Sequence, residues 1–146
     1  MGVALSWAEH AAGVLARHGF RSGGARKSVV ALLAEQNCCL TVQEMHERLR
    51  CRRPVGLASV YRAVEQLAQL GLVQRIDVGD GIARYERVDP AGEHHHHAVC
   101  DDCGRVEAFH DPELEQAIRR AAGRVGFDGS HEILLRGACE DCGEPS

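Results

Sequence analysis

The stretch that decides the fold is residues 57–87, LASVYRAVEQLAQLGLVQRIDVGDGIARYER. Apolar residues recur at helical spacing through its first half: Val60, Val64, Leu67 and Leu70. Gly71 is suited to ending that helix. The pattern then changes to two short strands, at 72–77 and 83–87, around the strong hairpin signal Gly79-Asp80-Gly81. We therefore expect a long helix followed directly by a hairpin.

Three further helices are predicted before this stretch. The first and third begin with capping boxes, in which Ser6 pairs with Glu9 and Thr41 with Glu44. The second is expected from about Ala25 to Gln36. Four helices followed by a hairpin is the element order of a winged helix-turn-helix. The fourth helix would be the recognition helix.

The chain beyond the hairpin is predicted to form a second, smaller domain. Residues 89–92, Asp-Pro-Ala-Gly, have the composition of a linker. We expect a winged-helix domain at 1–88, a hinge linker at 89–93 and an α/β domain at 94–146, which makes the fold class α+β. The elements predicted in the α/β domain are two strands, a helix and a strand, at 94–99, 105–109, 112–125 and 132–136. Its apolar content is low for a domain of this size, so we expect a bound metal to stabilise it.

Charge and composition separate the two parts of the chain and exclude some classes of protein. The 146 residues carry a formal net charge of −4, to which residues 1–85 contribute +4 and residues 86–146 contribute −8. The basic part is a candidate for contact with a polyanion. No apolar run approaches the roughly 20 residues that cross a bilayer, and the first residues lack the pattern of a signal peptide. We expect a soluble, cytoplasmic protein without a membrane partner.

Two Cys-x-x-Cys-Gly motifs in the acidic part carry the strongest chemical signal. They are formed by Cys100 with Cys103 and by Cys139 with Cys142. In a cytoplasmic protein, thiols at this spacing indicate metal ligands before disulfides. Four thiolates satisfy tetrahedral Zn(II) and leave no open position, so the predicted site is structural. The alternatives are two reducible dithiols or loosely packed surface cysteines.

A run of four histidines, His94 to His97, precedes the first of these motifs. On a strand, His95 and His97 would point one way and His94 and His96 the other, so that one strand would supply two metal sites. Neutral imidazoles bind Zn, Fe(II), Ni and Cu, so the residues alone do not select the metal. A solvated histidine-rich loop is the alternative interpretation.

Ser59, Tyr61 and Arg62 are the candidate DNA-binding residues, at the start of the predicted recognition helix. In a winged helix these positions enter the major groove, where Tyr61 meets a thymine methyl group and Arg62 a phosphate or a guanine edge. Other basic residues are expected to meet the DNA backbone: Arg21, Arg26, Lys27, Arg52, Arg53 and Arg84. The alternative is that Tyr61 is a half-buried helix residue and Arg62 a solvated one. The other basic residues would then form an ordinary solvated face.

Together these motifs resemble the ferric uptake regulator (Fur) family. The resemblance runs from about residue 10 to 143 and rests, in order, on Ser-Val-Tyr-Arg, Gly-Leu-Val, Arg-Tyr-Glu, the four histidines with Cys-x-x-Cys-Gly, and the last Cys-x-x-Cys. It implies a homodimeric transcriptional repressor in which a metal corepressor closes the dimer onto a palindromic, AT-rich DNA operator. The C-terminal domain would be the dimerisation domain. Control of zinc or iron uptake is implied, with the zinc-sensing (Zur) branch as one option.

The resemblance also implies three metal sites. The structural Zn(II) site matches Cys100, Cys103, Cys139 and Cys142. A further site within the dimerisation domain matches His94, His96, Glu115 and His131. The regulatory site for Zn(II) or Fe(II), at the hinge, matches Cys39, Glu86, His95 and His97.

The regulatory site departs from the family pattern at one ligand. Iron-sensing members usually have His at the position of Cys39, and a thiolate favours zinc over iron. The linker-region cysteine of many zinc sensors is absent, since Val88 lies at about that position. Cys38 or Asp89 is therefore an alternative fourth ligand, and a purely hydrophobic role for Cys38 and Cys39 is another.

Three other functions compete with metal-dependent repression. A peroxide-responsive member of the family is less expected, because Glu86 stands where such relatives have Asp. A metal buffer or chaperone has no use for the Ser-Val-Tyr-Arg helix and the wing. A zinc enzyme needs an open coordination position and a base, and the sequence contains no HExxH motif. The chain is therefore not expected to be an enzyme.

Overall fold

The computed structural model describes residues 5–21, 23–92 and 94–143. It divides the chain into two compact units, Met1–Glu93 and His94–Ser146. The ends of the predicted domains, at 1–4 and 144–146, and Glu93 of the predicted linker lie outside the described residues. Within the described part of the chain, no helix combines the length and apolar character needed to cross a membrane.

The first unit contains the four predicted helices. They are α1 (Trp7–Arg17), α2 (Gly24–Ala34), α3 (Val42–Arg50) and α4 (Leu57–Gln69). Both capping boxes form, with the hydroxyl of Ser6 accepting a bond at the start of α1 and that of Thr41 at the start of α3. The predicted end of the second helix at Gln36 is wrong by two residues, since α2 ends at Ala34.

A three-stranded sheet of order β1-β3-β2 completes this unit. β2 (Val73–Ile76) and β3 (Arg84–Arg87) pair antiparallel as the predicted hairpin. β1 (Leu40–Thr41) is not predicted from the sequence, because two residues are too few to show a period. It pairs with β3, where Leu40 lies opposite Tyr85. The unit is a winged helix-turn-helix, which confirms the predicted fold.

The buried apolar residues of the four helices form one core that holds α4 in place. α4 packs against α2 and α3, and its Val60 and Leu67 are fully buried together with Val29 and Met45. Burying one such side chain contributes roughly 1.5–3 kcal/mol. The opposite face of α4 is left to solvent, where Tyr61 is 48% exposed.

The second unit is a three-stranded sheet with one helix. Its elements are β4 (His96–Cys100), β5 (Val106–Phe109), α5 (Pro112–Val125) and β6 (Leu134–Gly137). The strand order is β5-β4-β6, and β4 is antiparallel to β5 and parallel to β6. The parallel pair needs a crossover, which α5 supplies. The last strand begins two residues later than the predicted residue 132.

The second unit buries few apolar side chains. Among its described residues, Val99 and Cys100 are the only buried apolar ones, while the polar His96 and Glu115 are 0% and 3% exposed. Phe127 is 76% exposed. Because so small a core cannot offset the conformational entropy of the segment, the unit must gain stability from other contacts.

Candidate metal centres and nucleic-acid interface

Four cysteine side chains of the second unit converge on one point. Cys100 ends β4 and Cys139 follows β6, while Cys103 and Cys142 lie in the turns after them. Because β4 and β6 are parallel neighbours, both motifs reach the same edge of the sheet. The four sulfur atoms lie within 4.8 Å of one another. Four thiols this close fit a closed tetrahedral Zn(II) site.

The glycines after the two motifs have different roles. Gly104 has a φ of 74°, and its N–H donates to the carbonyl oxygen of Cys100 at 2.9 Å, so the conformational freedom of glycine is used here. Gly143 has no positive φ, and its N–H donates to the carbonyl oxygen of Cys139 at 2.7 Å. A Cβ at Gly143 would lie 3.3 Å from that oxygen, so close approach is the reason for glycine at this position.

The fold of the second unit favours the thiolate form of Cys100, which is the form that binds a cation. Backbone N–H groups of Cys103 and Cys139 lower the pKa of this thiol to about 6, and the bond from Cys139 is 3.3 Å long. Hydrogen bonds with Cys139 and Cys103 raise the pKa of Cys142 to about 12. At neutral pH these shifts favour the thiolate at Cys100 and the protonated thiol at Cys142, so that a metal bound here would displace the proton of Cys142.

A second cluster in this unit joins three histidines to a buried glutamate. The carboxylate oxygens of Glu115, on α5, lie 2.5 Å from Nε2 of His96, 3.0 Å from Nε2 of His131 and 3.3 Å from Nε2 of His94. The hydrogen bond with His96 lowers the pKa of the Glu115 carboxyl, against the effect of burial and together with the other two imidazoles. Three imidazoles and one carboxylate are a ligand set for Zn(II) or another first-row metal.

The four consecutive histidines divide between two faces, in agreement with the expected alternation. The ring centroids of His94 and His96 are 5.1 Å apart, and those of His95 and His97 are 5.0 Å apart. The predicted strand start at His94 is wrong, because β4 begins at His96, where pairing with Phe109 of β5 begins. The first two histidines thus lie on the segment that enters the sheet.

The residues expected at the regulatory site are divided between the two units. His95 and His97 belong to the second unit, whereas Cys39 and Glu86 belong to the first. Within the first unit, the pairing of β1 with β3 brings Cys39 near Glu86. A hydrogen bond with Cys38, whose sulfur is 3.9 Å away, raises the pKa of the Cys39 thiol, and burial and the Glu86 carboxylate act in the same direction.

Two other residues bear on this set. Asp89, an alternative ligand, accepts a bond from the N–H of Ala91 at 2.8 Å in the linker segment. Gln74 was not expected from the sequence, and its Nε2 donates to Oε1 of Glu86 at 2.8 Å, which orients the carboxylate. The register of the hairpin places Gln74 opposite Glu86. The contact therefore depends on the strand register, which the sequence analysis does not specify.

The candidate DNA-binding residues lie on the solvent face of α4. Tyr61 and Arg62 are exposed, and Ser59 is half-buried. Arg62 Nη2 donates to the Ser59 hydroxyl oxygen at 3.2 Å. The structure thus exposes an aromatic and a guanidinium side chain at successive positions near the start of this helix, as expected of a helix that reads base edges.

Arg84, expected from the sequence to meet the DNA backbone, is instead buried in the wing. The residue is 7% exposed, and its Nη1 lies 2.9 Å from Oδ2 of Asp80. Asp80 Oδ1 also accepts a bond from the N–H of Ile82 at 3.0 Å. The ion pair closes the turn of the hairpin, so Arg84 is a structural residue and its guanidinium is not presented to DNA.

The Asp80→Ala variant is expected to lower the free energy of unfolding of the first unit by more than its control does, because the buried Arg84 charge loses its partner. Glu35→Ala is the matched control. It removes an exposed ion pair with Arg52, 3.6 Å long, and such pairs contribute less than about 1 kcal/mol. Urea unfolding followed by circular dichroism compares the two variants. Equal losses would contradict a structural role for the wing pair.

Comparison with known sequences indicates one family. The family profile "Ferric uptake regulator family" matches residues 17–135. A zinc uptake regulation protein of Mycobacterium tuberculosis is 36% identical over 127 residues, covering 85% of this chain and 95% of that protein. A ferric uptake regulation protein of Cupriavidus metallidurans is 43% identical over 91 residues, covering 60% of this chain and 62% of that protein. The chain thus spans about three fifths of the length of that relative.

Comparison with solved structures agrees. The ferric uptake regulator Fur of Helicobacter pylori, described as having three functional metal binding sites, has a TM-score of 0.80 at 25% identity, covering 96% of this chain and 93% of that chain. A zinc-bound manganese uptake regulator has a TM-score of 0.76 at 28% identity, covering 88% of this chain and 98% of that chain.

Proposed function

The chain belongs to the ferric uptake regulator family, and from this premise we propose that it is a metal-dependent transcriptional repressor that binds its DNA operator as a homodimer. The observation that carries the proposal is the presence in one chain of two features. One is a winged helix with Tyr61 and Arg62 exposed on α4, and the other is a unit with two clusters of metal-ligating side chains. A metal buffer needs only the second feature.

Two of the proposed metal sites lie wholly within the second unit. Zn(II) at the four cysteines is structural, because the thiols occupy all four positions and leave none for substrate or water. His94, His96, Glu115 and His131 hold a second metal ion. Three ligand sets in this chain match in number the three functional metal binding sites described for the Helicobacter pylori regulator.

The regulatory metal binds, in this proposal, to Cys39 and Glu86 of the first unit and to His95 and His97 of the second. A metal held by ligands from both units binds one arrangement of the units more tightly than the others and shifts the population toward it. In a homodimer, this sets the separation of the two recognition helices for the half-sites of a palindromic, AT-rich operator.

Zinc is the regulatory metal that the ligand set favours, because the thiolate of Cys39 is a soft ligand. The Mycobacterium tuberculosis relative, which aligns along most of the chain, is named for zinc uptake. Fe(II) is the second candidate, since the Cupriavidus metallidurans relative is named for ferric uptake. Zinc sensing requires Cys39 as a ligand, whereas in an iron regulator Cys39 would be a packing residue. An experiment on Cys39 can therefore distinguish the two metals.

Anaerobic binding of the purified protein to fragments of its own genome, with buffered Zn(II) or buffered Fe(II), tests the proposal. We expect zinc to increase specific affinity by about 5- to 150-fold, the usual range of coupling between sites. Cys39→Ser should remove this response, and Cys51→Ser, at an exposed thiol, should retain it. A response to Fe(II) alone would make the protein an iron regulator with Cys39 as a packing residue. No response to either metal would contradict metal-dependent repression.

A further inference from the structure

We propose that a cleft between α2 and α4 binds a phosphate group of the DNA backbone, an inference that rests on the proposed function. The cleft has a volume of about 210 Å³. Its polar lining comes from side chains of two helices, Arg26 of α2 and Ser59, Arg62 and Gln66 of α4. None of the described residues that line it carries a carboxylate. The described lining therefore carries two positive charges and no negative charge.

Arg26 is held in a defined position between the two helices. Its Nε donates to Oε1 of Gln66 at 2.9 Å, and its Nη1 donates to the carbonyl oxygen of Arg21 at 3.1 Å. The guanidinium carbon lies 4.5 Å from the centre of the Phe20 ring, a cation–π contact. A guanidinium has five N–H donors, and these two bonds use two of them. Three donors remain for an anion.

Arg62 brings the second guanidinium to the same cleft. Its bond to the Ser59 hydroxyl ties the side chain to the preceding turn of α4. Gly23 and Gly24 also line the cleft, and a Cβ at either position would meet no atom within 4 Å, so the space beside them is open. Arginine binds phosphate through paired, charge-assisted hydrogen bonds. Arg26 and Arg62 are both held by uncharged hydrogen-bond partners and keep their full positive charge. Together they are suited to bind two oxygen atoms of one phosphate group.

The position of the cleft favours DNA as the source of the phosphate. Ser59 and Arg62 line it, and Tyr61 lies between them in the sequence on the exposed face of α4. Phosphate contacts beside a recognition helix fix its orientation in the groove, whereas base contacts read the sequence. Arg26 thus positions α4 without reading a base. Its loss should weaken binding to all sequences alike.

The test measures how the DNA affinity of the full-length, zinc-loaded protein depends on salt. A mixed-sequence duplex is the probe, because backbone contacts act on any sequence. For Arg26→Gln we expect the slope of log affinity against log salt to fall in magnitude by about 0.9 per protomer, and the affinity to fall roughly tenfold or more. Arg124→Gln makes the same charge change at an exposed position of α5 and should leave both quantities unchanged.

A second variant covers the case in which Arg26→Gln does not fold. Ala25 also lines the cleft, in the first turn of α2, where an acidic side chain is favourable to the helix. Ala25→Glu should therefore fold and lose DNA affinity by repulsion. Wild-type affinity and slope in either folded variant would overturn the proposal, as would Arg26-dependent binding of inorganic phosphate with unchanged DNA affinity. A wild-type protein that binds no DNA would refute the proposed function and the cleft with it.

Discussion

The Cys103→Ser variant is expected to lose the fold of the second unit while the first unit stays helical. Val99 and Cys100 are the only buried apolar residues among those described in that unit, so packing within one chain contributes little to its stability. Zinc binding to structural sites supplies on the order of 10–16 kcal/mol. The four cysteines connect the end of β4 to the segment after β6, and losing one ligand releases both. Removing zinc with a strong chelator should have the same effect.

Limited proteolysis and zinc content measure this outcome together. In Cys103→Ser, the fragment beyond residue 93 should be digested rapidly, the helical circular dichroism of the first unit should persist, and the proposed dimer should dissociate in gel filtration. Cys51→Ser is the matched control, because Cys51 is exposed and its thiol only donates to the carbonyl oxygen of Glu47 at 3.4 Å. A zinc-free Cys103→Ser protein with a protease-resistant second unit would contradict the structural role of the metal.

Replacing His95 by alanine, alone and together with His97→Ala, is expected to abolish the effect of zinc on operator binding. Each substitution removes a proposed ligand of the metal that couples the two units, and such coupling amounts to about 1–3 kcal/mol, or 5- to 150-fold in affinity. α4 is untouched, so non-specific binding should remain. The single His95→Ala variant is included because His95 precedes β4 and is only half-buried. Its replacement should therefore leave the sheet of the second unit intact.

Two controls separate this result from a loss of structure. His110→Ala removes an exposed imidazole of the same unit and should retain the zinc response. His131→Ala acts on the Glu115 cluster instead, and a retained response there would assign the coupling to His95 and His97 specifically. If the His95→Ala and His97→Ala double variant is folded and still binds its operator in a zinc-dependent manner, the proposed regulatory site is wrong.

Short-range features of the chain were predicted well from the sequence. The capping boxes of Ser6 and Thr41 place the starts of α1 and α3, because each depends on residues only three positions apart. The hairpin follows from the glycines around Asp80. The strand boundaries at His94 and at residue 132 were less accurate, since a strand begins where its partner begins, and the partner is distant in the chain.

The sequence by itself determined the order of the five helices and of every strand except β1, the two cysteine pairs, the alternation of the histidine run and the family. Each of these depends on the identity and spacing of nearby residues. Only the tertiary structure decided that β1 pairs with β3 and brings Cys39 near Glu86, that Arg84 is buried against Asp80, and that Arg26 and Arg62 line one cleft. The physical reason is that these contacts are set by strand register and helix packing. Both bring together segments that are distant in the chain, and residue type and local spacing carry no information on such contacts.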